Sequence, residues 1–216
     1  MIFTPPRMMK TDYLKVIFFK RLSKYTDNTM LINNTFTDLM NDYMGEKRRY
    51  HDLSHVNNLL TLLEENKFRV SDEDALFFAI WFHDAIYDTW KSNNEENSAD
   101  YADEILRQTT MPIARIEKVV DYIKATKSHT AHGDNDLELF LDFDLSILGA
   151  ESSIYDVYTR QIREEFSIYP SFIYNRGRKK AMRHLIERPY IFQTDEFRRQ
   201  FEAKARENIQ RELDNL

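Results

Sequence analysis

The chain contains no cysteine, which excludes disulfides and thiolate metal sites and leaves nitrogen and oxygen as metal donors. The same absence is compatible with a reducing compartment. Glycine and proline are scarce, with 4 and 5 residues in a chain of 216. A sheet-rich fold with many tight turns needs more of both. Valine is also sparse, and the apolar residues are mostly Leu, Ile, Phe, Tyr and Met. No apolar run approaches the roughly 20 residues that a membrane helix requires. Met1 to Lys10 lacks the charge, apolar core and small-residue cleavage site of a signal peptide. A soluble, cytoplasmic protein with no membrane partner is expected. Cationic excess is missing too: 30 Lys and Arg stand against 36 Asp and Glu, a net charge of −6. That balance suggests no duplex nucleic-acid surface, although it leaves room for a local basic patch.

What is present is material for a helical core. Hydrophobic residues make up 42% of the chain, which is globular rather than disordered composition. The length allows one good core or at most two small ones. Apolar residues at helical spacing predict amphipathic helices over Thr11 to Tyr25 and Met30 to Met44. A further helix is expected to open at His51 and run to Asn66. Ser71-Asp72-Glu73-Asp74 reads as an N-cap with an acidic first turn, starting a helix that ends near Asp88 to Trp90. Later helices are expected over Glu95 to Gln108, Pro112 to Lys127, Leu137 to Leu148, Glu151 to Ile168, between Pro170 and Pro189, and over Thr194 to Leu213. Residues 1–9 read as an extended lead-in because of Pro5-Pro6. The expectation is an all-α fold of roughly eight to ten helices in a single domain over 1–216. Residues 1–45 supply N-terminal helices packing on the core, and residues 150–216 supply the C-terminal ones.

The centre of this organisation is Ala79-Ile80-Trp81-Phe82-His83-Asp84-Ala85-Ile86-Tyr87-Asp88. His83 would share a face with Ala79, Ile80, Ile86 and Tyr87, inside a buried helix. A histidine and an aspartate in such surroundings need a hydrogen-bond network or a metal ion. For the pair alone, a satisfied core histidine is the simpler reading.

Five of the six histidines fall within residues 51–132: His51, His55, His83, His129 and His132. The spacing His51-x-x-x-His55 puts both rings on one face if the segment is helical. Asp142-Phe143-Asp144 can turn only one carboxylate squarely inward, since residues two apart diverge by about 200° on a helix. Asp144 has Phe140, Ile147 and Leu148 as same-face neighbours, so it is expected on the more apolar face. Asp142 is expected at the helix surface or supporting a ligand from behind. Together His55, His83, Asp84 and Asp144 offer two imidazoles and two carboxylates. Such a set suits Mn, Fe, Co, Ni, Zn or Mg without choosing among them. An ion of this kind lowers the pKa of bound water. His129 and His132 read as solvated loop residues, with a minority case for His129 beside a second ion or a phosphate. The aromatic stripe Phe18, Phe19, Phe77, Phe78 and Trp81 reads as core.

In this order His55, His83-Asp84 and Asp144 resemble the H…HD…D signature of the HD superfamily of metal-dependent phosphohydrolases. Arg49-Tyr50-His51-x-x-x-His55-Val56, Trp81 to Asp88, Asn94-Glu95-x-x-Ser98-Ala99 and Asp142 to Gly149 are similar to one bacterial subfamily of predicted HD-superfamily hydrolases. Tyr155-x-x-Tyr158-x-x-x-Ile162-Arg163-x-Glu165 and Ala205-Arg206-x-Asn208 carry the likeness into the C-terminal third. The resemblance implies an HD-domain helical bundle with His55, His83, Asp84 and Asp144 as ligands of one or two divalent ions. It implies hydrolysis of a phosphoester or phosphoanhydride, in a nucleotide or another small phosphorylated metabolite. Tyr50-His51-x-x-x-His55 is similar to HD cyclic-nucleotide phosphodiesterases, which implies that His51 protonates the leaving oxygen. This chain has Asp52 where those enzymes have Asn. Glu95 and Asp88 are expected beside the ligands, and Arg163 and Arg206 as phosphate clamps among a larger basic set. A homodimer is a permitted assembly. The alternatives are a catalytically silent nucleotide-binding module and, less favoured, a di-iron oxygenase.

Overall fold

The computed structural model describes residues 11–131 and 133–216; the lead-in expected over 1–9 and His132 lie outside them. Among the described residues, all regular structure is helical. No helix there is long and apolar enough to cross a membrane. The chain divides into two compact units, within Pro5–His129 and Thr130–Leu216.

The first unit contains α1 (Thr11–Leu22), α2 (Thr29–Tyr43), α3 (Leu53–Asn66), α4 (Glu73–Phe82), α5 (Asn94–Leu106) and α6 (Ile113–Ala125). Its middle is α4, where every residue from Ala75 to Phe82 is buried. A helix that is apolar on all sides belongs inside a core. Of the expected aromatic stripe, Phe18, Phe77, Phe78 and Trp81 form core, whereas Phe19 is only half-buried. The Phe18 and Trp81 rings meet edge to face at 5.3 Å, and Phe36 approaches Trp81 at 5.8 Å. Cutting one such ring to alanine costs about 3–5 kcal/mol. The start of α4 is doubly secured. Asp72 caps it by accepting from the Ala75 amide at 3.0 Å. Asp74 accepts from Arg21 Nη1 and Lys24 Nζ, each at 2.7 Å, and from the Tyr25 hydroxyl, so its carboxylate ties α4 to α1.

The end of α4 differs from expectation. The helix stops at Phe82, not near Asp88 to Trp90, and His83 is its C-cap. The cause is that other side chains take the last-turn carbonyls, which a helix leaves without intrahelical partners. His83 Nδ1 donates to Ile80 O at 2.9 Å, and the Tyr43 hydroxyl donates to Trp81 O at 3.1 Å. Burial, with Asp84 nearby, raises the Tyr43 phenol well above its ordinary value and keeps it a donor. Beyond the cap, Arg48 Nη2 donates to Ala85 O at 2.8 Å. Ser98 Oγ accepts from the Ile86 amide at 3.0 Å and donates to the Ile86 carbonyl at 3.2 Å. These partners replace the helical ladder for residues 85–88.

The second unit contains α7 (Asn135–Leu145), a 3₁₀ turn (Ser146–Gly149), α8 (Ser152–Glu165) and α9 (Ser171–Ile186). It closes with α10 (Asp195–Phe197), a π turn (Arg198–Glu202) and α11 (Ala203–Asn215). These last three follow without a break, so the described residues hold ten helical runs, within the range expected. Gly149 does more than end a helix. A Cβ there would stand 2.6 Å from Phe201 Cβ and 2.9 Å from Phe201 O, so only glycine lets the π turn pack this closely. Asn208, fully buried, donates to Leu148 O at 2.9 Å and Ala150 O at 2.8 Å and locks α11 onto the same turn.

Candidate metal centre

The structure brings His55 and His83 together inside the first unit. His55 lies on α3 and His83 caps α4, and both are buried. Their Nε2 atoms face each other at 3.1 Å. Asp84, the next residue, extends Oδ2 to 3.2 Å from His83 Nε2 and 3.8 Å from His55 Nε2. The tautomer of His83 follows from its partner. Ile80 O only accepts, so the proton sits on Nδ1 and Nε2 presents its lone pair to the cluster. A carbonyl behind a ligating imidazole is the usual device for orienting it.

These distances fit a shared cation. Donor atoms bonded at about 2.1 Å to one ion stand about 3.0–3.4 Å apart. Two of the three edges meet that span, and a small rotation of the Asp84 carboxylate closes the third. Burial alone would raise the Asp84 carboxyl. Positive charge on the neighbouring rings, His83 first and then His51 and His55, outweighs it when those rings are protonated and holds the carboxyl well below its usual range. His55 and His83 offer two of the donors that could hold a metal ion; Asp144, half-buried, belongs to the second unit.

His51 is near this cluster, but not by the expected route. Helix α3 begins at Leu53, and Asp52 is its N-cap, accepting from the Ser54 amide at 2.8 Å. His51 therefore precedes the helix, and the i, i+4 face argument does not apply to it. Aspartate is a strong cap, which is why the helix starts at Leu53, two residues after the histidine. The His51 ring is placed by contacts instead. It lies 4.6 Å from the Tyr87 ring, 5.0 Å from Tyr50 and 5.8 Å from His55.

Arg48 sets that arrangement. Its Nη1 donates to His51 O and its Nη2 to Ala85 O, both at 2.8 Å. The guanidinium lies over the Tyr43 and Tyr87 rings at 4.9 and 5.2 Å. Arg48 is buried and braces the two segments that carry His51 and Asp84. No sequence signal distinguishes it from Lys47 and Arg49, because its partners are main-chain carbonyls brought near by folding.

The aspartates of α7 exchange places relative to expectation. Asp142 is fully buried and Asp144 is intermediate. The pattern argument failed because Leu139, Phe140, Leu141, Phe143 and Leu145 are all buried, so α7 has no solvent face for periodicity to reveal. Asp142 accepts from the Gln193 amide at 2.6 Å, the Thr194 amide at 2.8 Å and Thr194 Oγ1 at 2.7 Å. It anchors the segment entering α10. Burial pushes its carboxyl up to about 6, against the pull of those donors and of Arg198.

The remaining candidates have structural partners. Asp88 receives the Trp90 amide at 3.0 Å and exchanges main-chain hydrogen bonds with the Asn94 side chain. Glu95 is half-buried in the first turn of α5, where a carboxylate favours the helix dipole. His129 has a positive φ of 49° and donates its amide to Ala125 O at 2.8 Å, a left-handed cap after α6. Arg163 donates to Phe166 O at 2.9 Å and Tyr169 O at 3.1 Å. Arg206 donates to Glu202 and to the carbonyls of Ile186 and Arg188, each at 2.8 Å. Both guanidiniums help hold the second unit together.

Compared with protein-family models, curated proteins and solved structures, the chain matches none.

Proposed function

We propose that the chain is a metal-dependent phosphohydrolase that cleaves a phosphoester or phosphoanhydride of a nucleotide or another small phosphorylated metabolite. One observation carries the reading. Two buried imidazole nitrogens and a carboxylate oxygen converge within 3.1–3.8 Å, and the His83 proton is committed to a carbonyl on the far side. Nothing in ordinary packing rewards the His83 lone pair for facing a carboxylate oxygen, whereas a cation does. His55, His83 and Asp84 hold the ion. Mn, Fe, Co, Ni or Zn suits these donors, and Mg is permitted. When bound, the ion activates water at neutral pH and offsets the charge that grows on the phosphoryl group.

His51 is not needed as a ligand in this scheme. An imidazole exchanges protons near neutrality, and His51 is held between Tyr50 and Tyr87 beside the ligands. It delivers a proton to the leaving oxygen. Arg48 keeps it there through its main-chain carbonyl.

The test is metal content and turnover in the whole chain. Wild type should retain about one divalent ion and hydrolyse some members of a phosphoester panel with Mn, Mg, Co or Ni. His83→Ala with Asp84→Ala should lose both. Unchanged metal stoichiometry in that variant would sink the site. Full metal loading without turnover of any phosphoester would leave a nucleotide-binding module, and two irons per chain with oxygen uptake would favour an oxygenase.

A further inference from the structure

The second unit carries a groove of about 1140 Å³ along α9. Its walls include Phe172, Arg176, Gly177, Lys179, Lys180 and Arg183. From Arg176 to Arg183 the spacing is three to four residues, so these cations form one stripe on the helix. Phe172 stands one turn before Arg176 and is 75% exposed. Arg176, Lys179, Lys180 and Arg183 have no hydrogen bond or ion pair among the described residues, although the chain as a whole carries a net charge of −6. Glu187 is the one acid lining the groove among those residues. Arg178, on the other side of the same helix, shows the contrast: it is paired to Glu212 at 2.7 Å and lies over the Tyr158 ring. Like charges one turn apart weaken a helix, so the stripe is a cost that the unit's own packing does not offset.

Gly177 is an independent sign. It sits in the interior of α9, where glycine is a poor helix former. A Cβ there would meet nothing within 4 Å, so no contact inside the protein requires its absence. It does lie on the groove wall, between the cations. A helical glycine without an internal reason makes sense if something outside must approach the backbone closely.

We infer that this groove binds a single-stranded nucleic acid. Its phosphates would run along Arg176, Lys179, Lys180 and Arg183, a base would stack on Phe172, and Gly177 would let the backbone of the strand come against α9. The concave shape and the short apolar end favour a strand over a membrane surface, which needs a broad apolar face beside its cations. The inference does not depend on the metal centre.

Labelled oligo-dT and oligouridylate, titrated with the full chain at several salt concentrations, test it. Single strands should bind more tightly than duplex of the same length. Four released counterions predict a slope of log affinity against log salt of about −3. Arg176→Ala with Arg183→Ala should weaken binding about tenfold or more and reduce that slope by about half. Phe172→Ala should weaken binding with the slope unchanged. Gly177→Ala is the sharpest arm, because it should raise Tm by a few degrees, roughly, while lowering affinity. No binding, binding untouched by these variants, a Gly177→Ala protein that is more stable yet binds fully, or binding only to phosphatidylserine vesicles would each overturn the proposal.

Discussion

Two buried polar sites make an instructive pair. Around Asp142, every donor and acceptor comes from the chain itself: a carboxylate meets two amides and a hydroxyl within 2.6–2.8 Å. Around His83, whose own proton goes to Ile80 O, the Nε2 lone pair faces the Nε2 of His55 at 3.1 Å and a carboxylate oxygen at 3.2 Å. The first site is complementary within the folded chain and serves the fold. The second becomes complementary when a cation joins it. Burial and charge alone would not separate the two, since both hold ionisable groups out of water. The sign of the partners does.

The largest effect that would sharpen this contrast is expected at Asp142. Asp142→Ala strands three donors in the interior and should cost about 3–5 kcal/mol in urea unfolding. A loss below about 1 kcal/mol would mean that the carboxylate is not the anchor described. Next comes the ion. At a hundredfold excess over its dissociation constant, a divalent metal should stabilise the wild type by about 2.7 kcal/mol. His83→Ala with Asp84→Ala should show no such gain, and an equal gain in both proteins would break the comparison. Arg48→Ala should cost about 2 kcal/mol and weaken metal affinity by about 10–100-fold, since the brace orients the segments that carry the site. Arg48→Lys should rescue little, because a single ammonium cannot span two carbonyls as the guanidinium does.

The smallest effect concerns Asp74, remote from the centre. Despite burial, its contacts with Lys24, Tyr25 and Arg21 bring its carboxyl down to about 2. A carboxylate whose folded pKa lies below its unfolded value of about 3.9 stabilises the fold above that value. The contribution is lost as pH falls through roughly 4 to 2. With partial solvent screening it is worth about 1–2 kcal/mol. The stability difference between wild type and Asp74→Asn should be flat above pH of about 5 and vanish near pH 2. A difference that persists at pH of about 2 would show that packing, and not charge, holds α1 to α4.

Much of the fold was legible beforehand because helical periodicity is a local property. The number of helices, the cap at Asp72 and the aromatic core around Trp81 follow from the order of residues. The buried imidazole pair His55 and His83 was legible as residue chemistry. Three things were not. The end of α4 depends on Tyr43 and His83 capturing carbonyls, which needs α2 in place. The choice between Asp142 and Asp144 depends on α7 being enclosed, and an enclosed helix erases the pattern that names its inner face. The task of each arginine depends on which carbonyls come within reach, as Arg48, Arg163 and Arg206 show.

By itself, then, the order of residues determined an all-helical chain and the kinds of donor available to a metal, because backbone propensity and side-chain chemistry are carried residue by residue. Tertiary structure alone decided which buried carboxylate is satisfied, which nitrogens face each other and which cations are left unpaired. Those are relations between groups distant in the chain, and only packing brings their charges and lone pairs within a few ångströms.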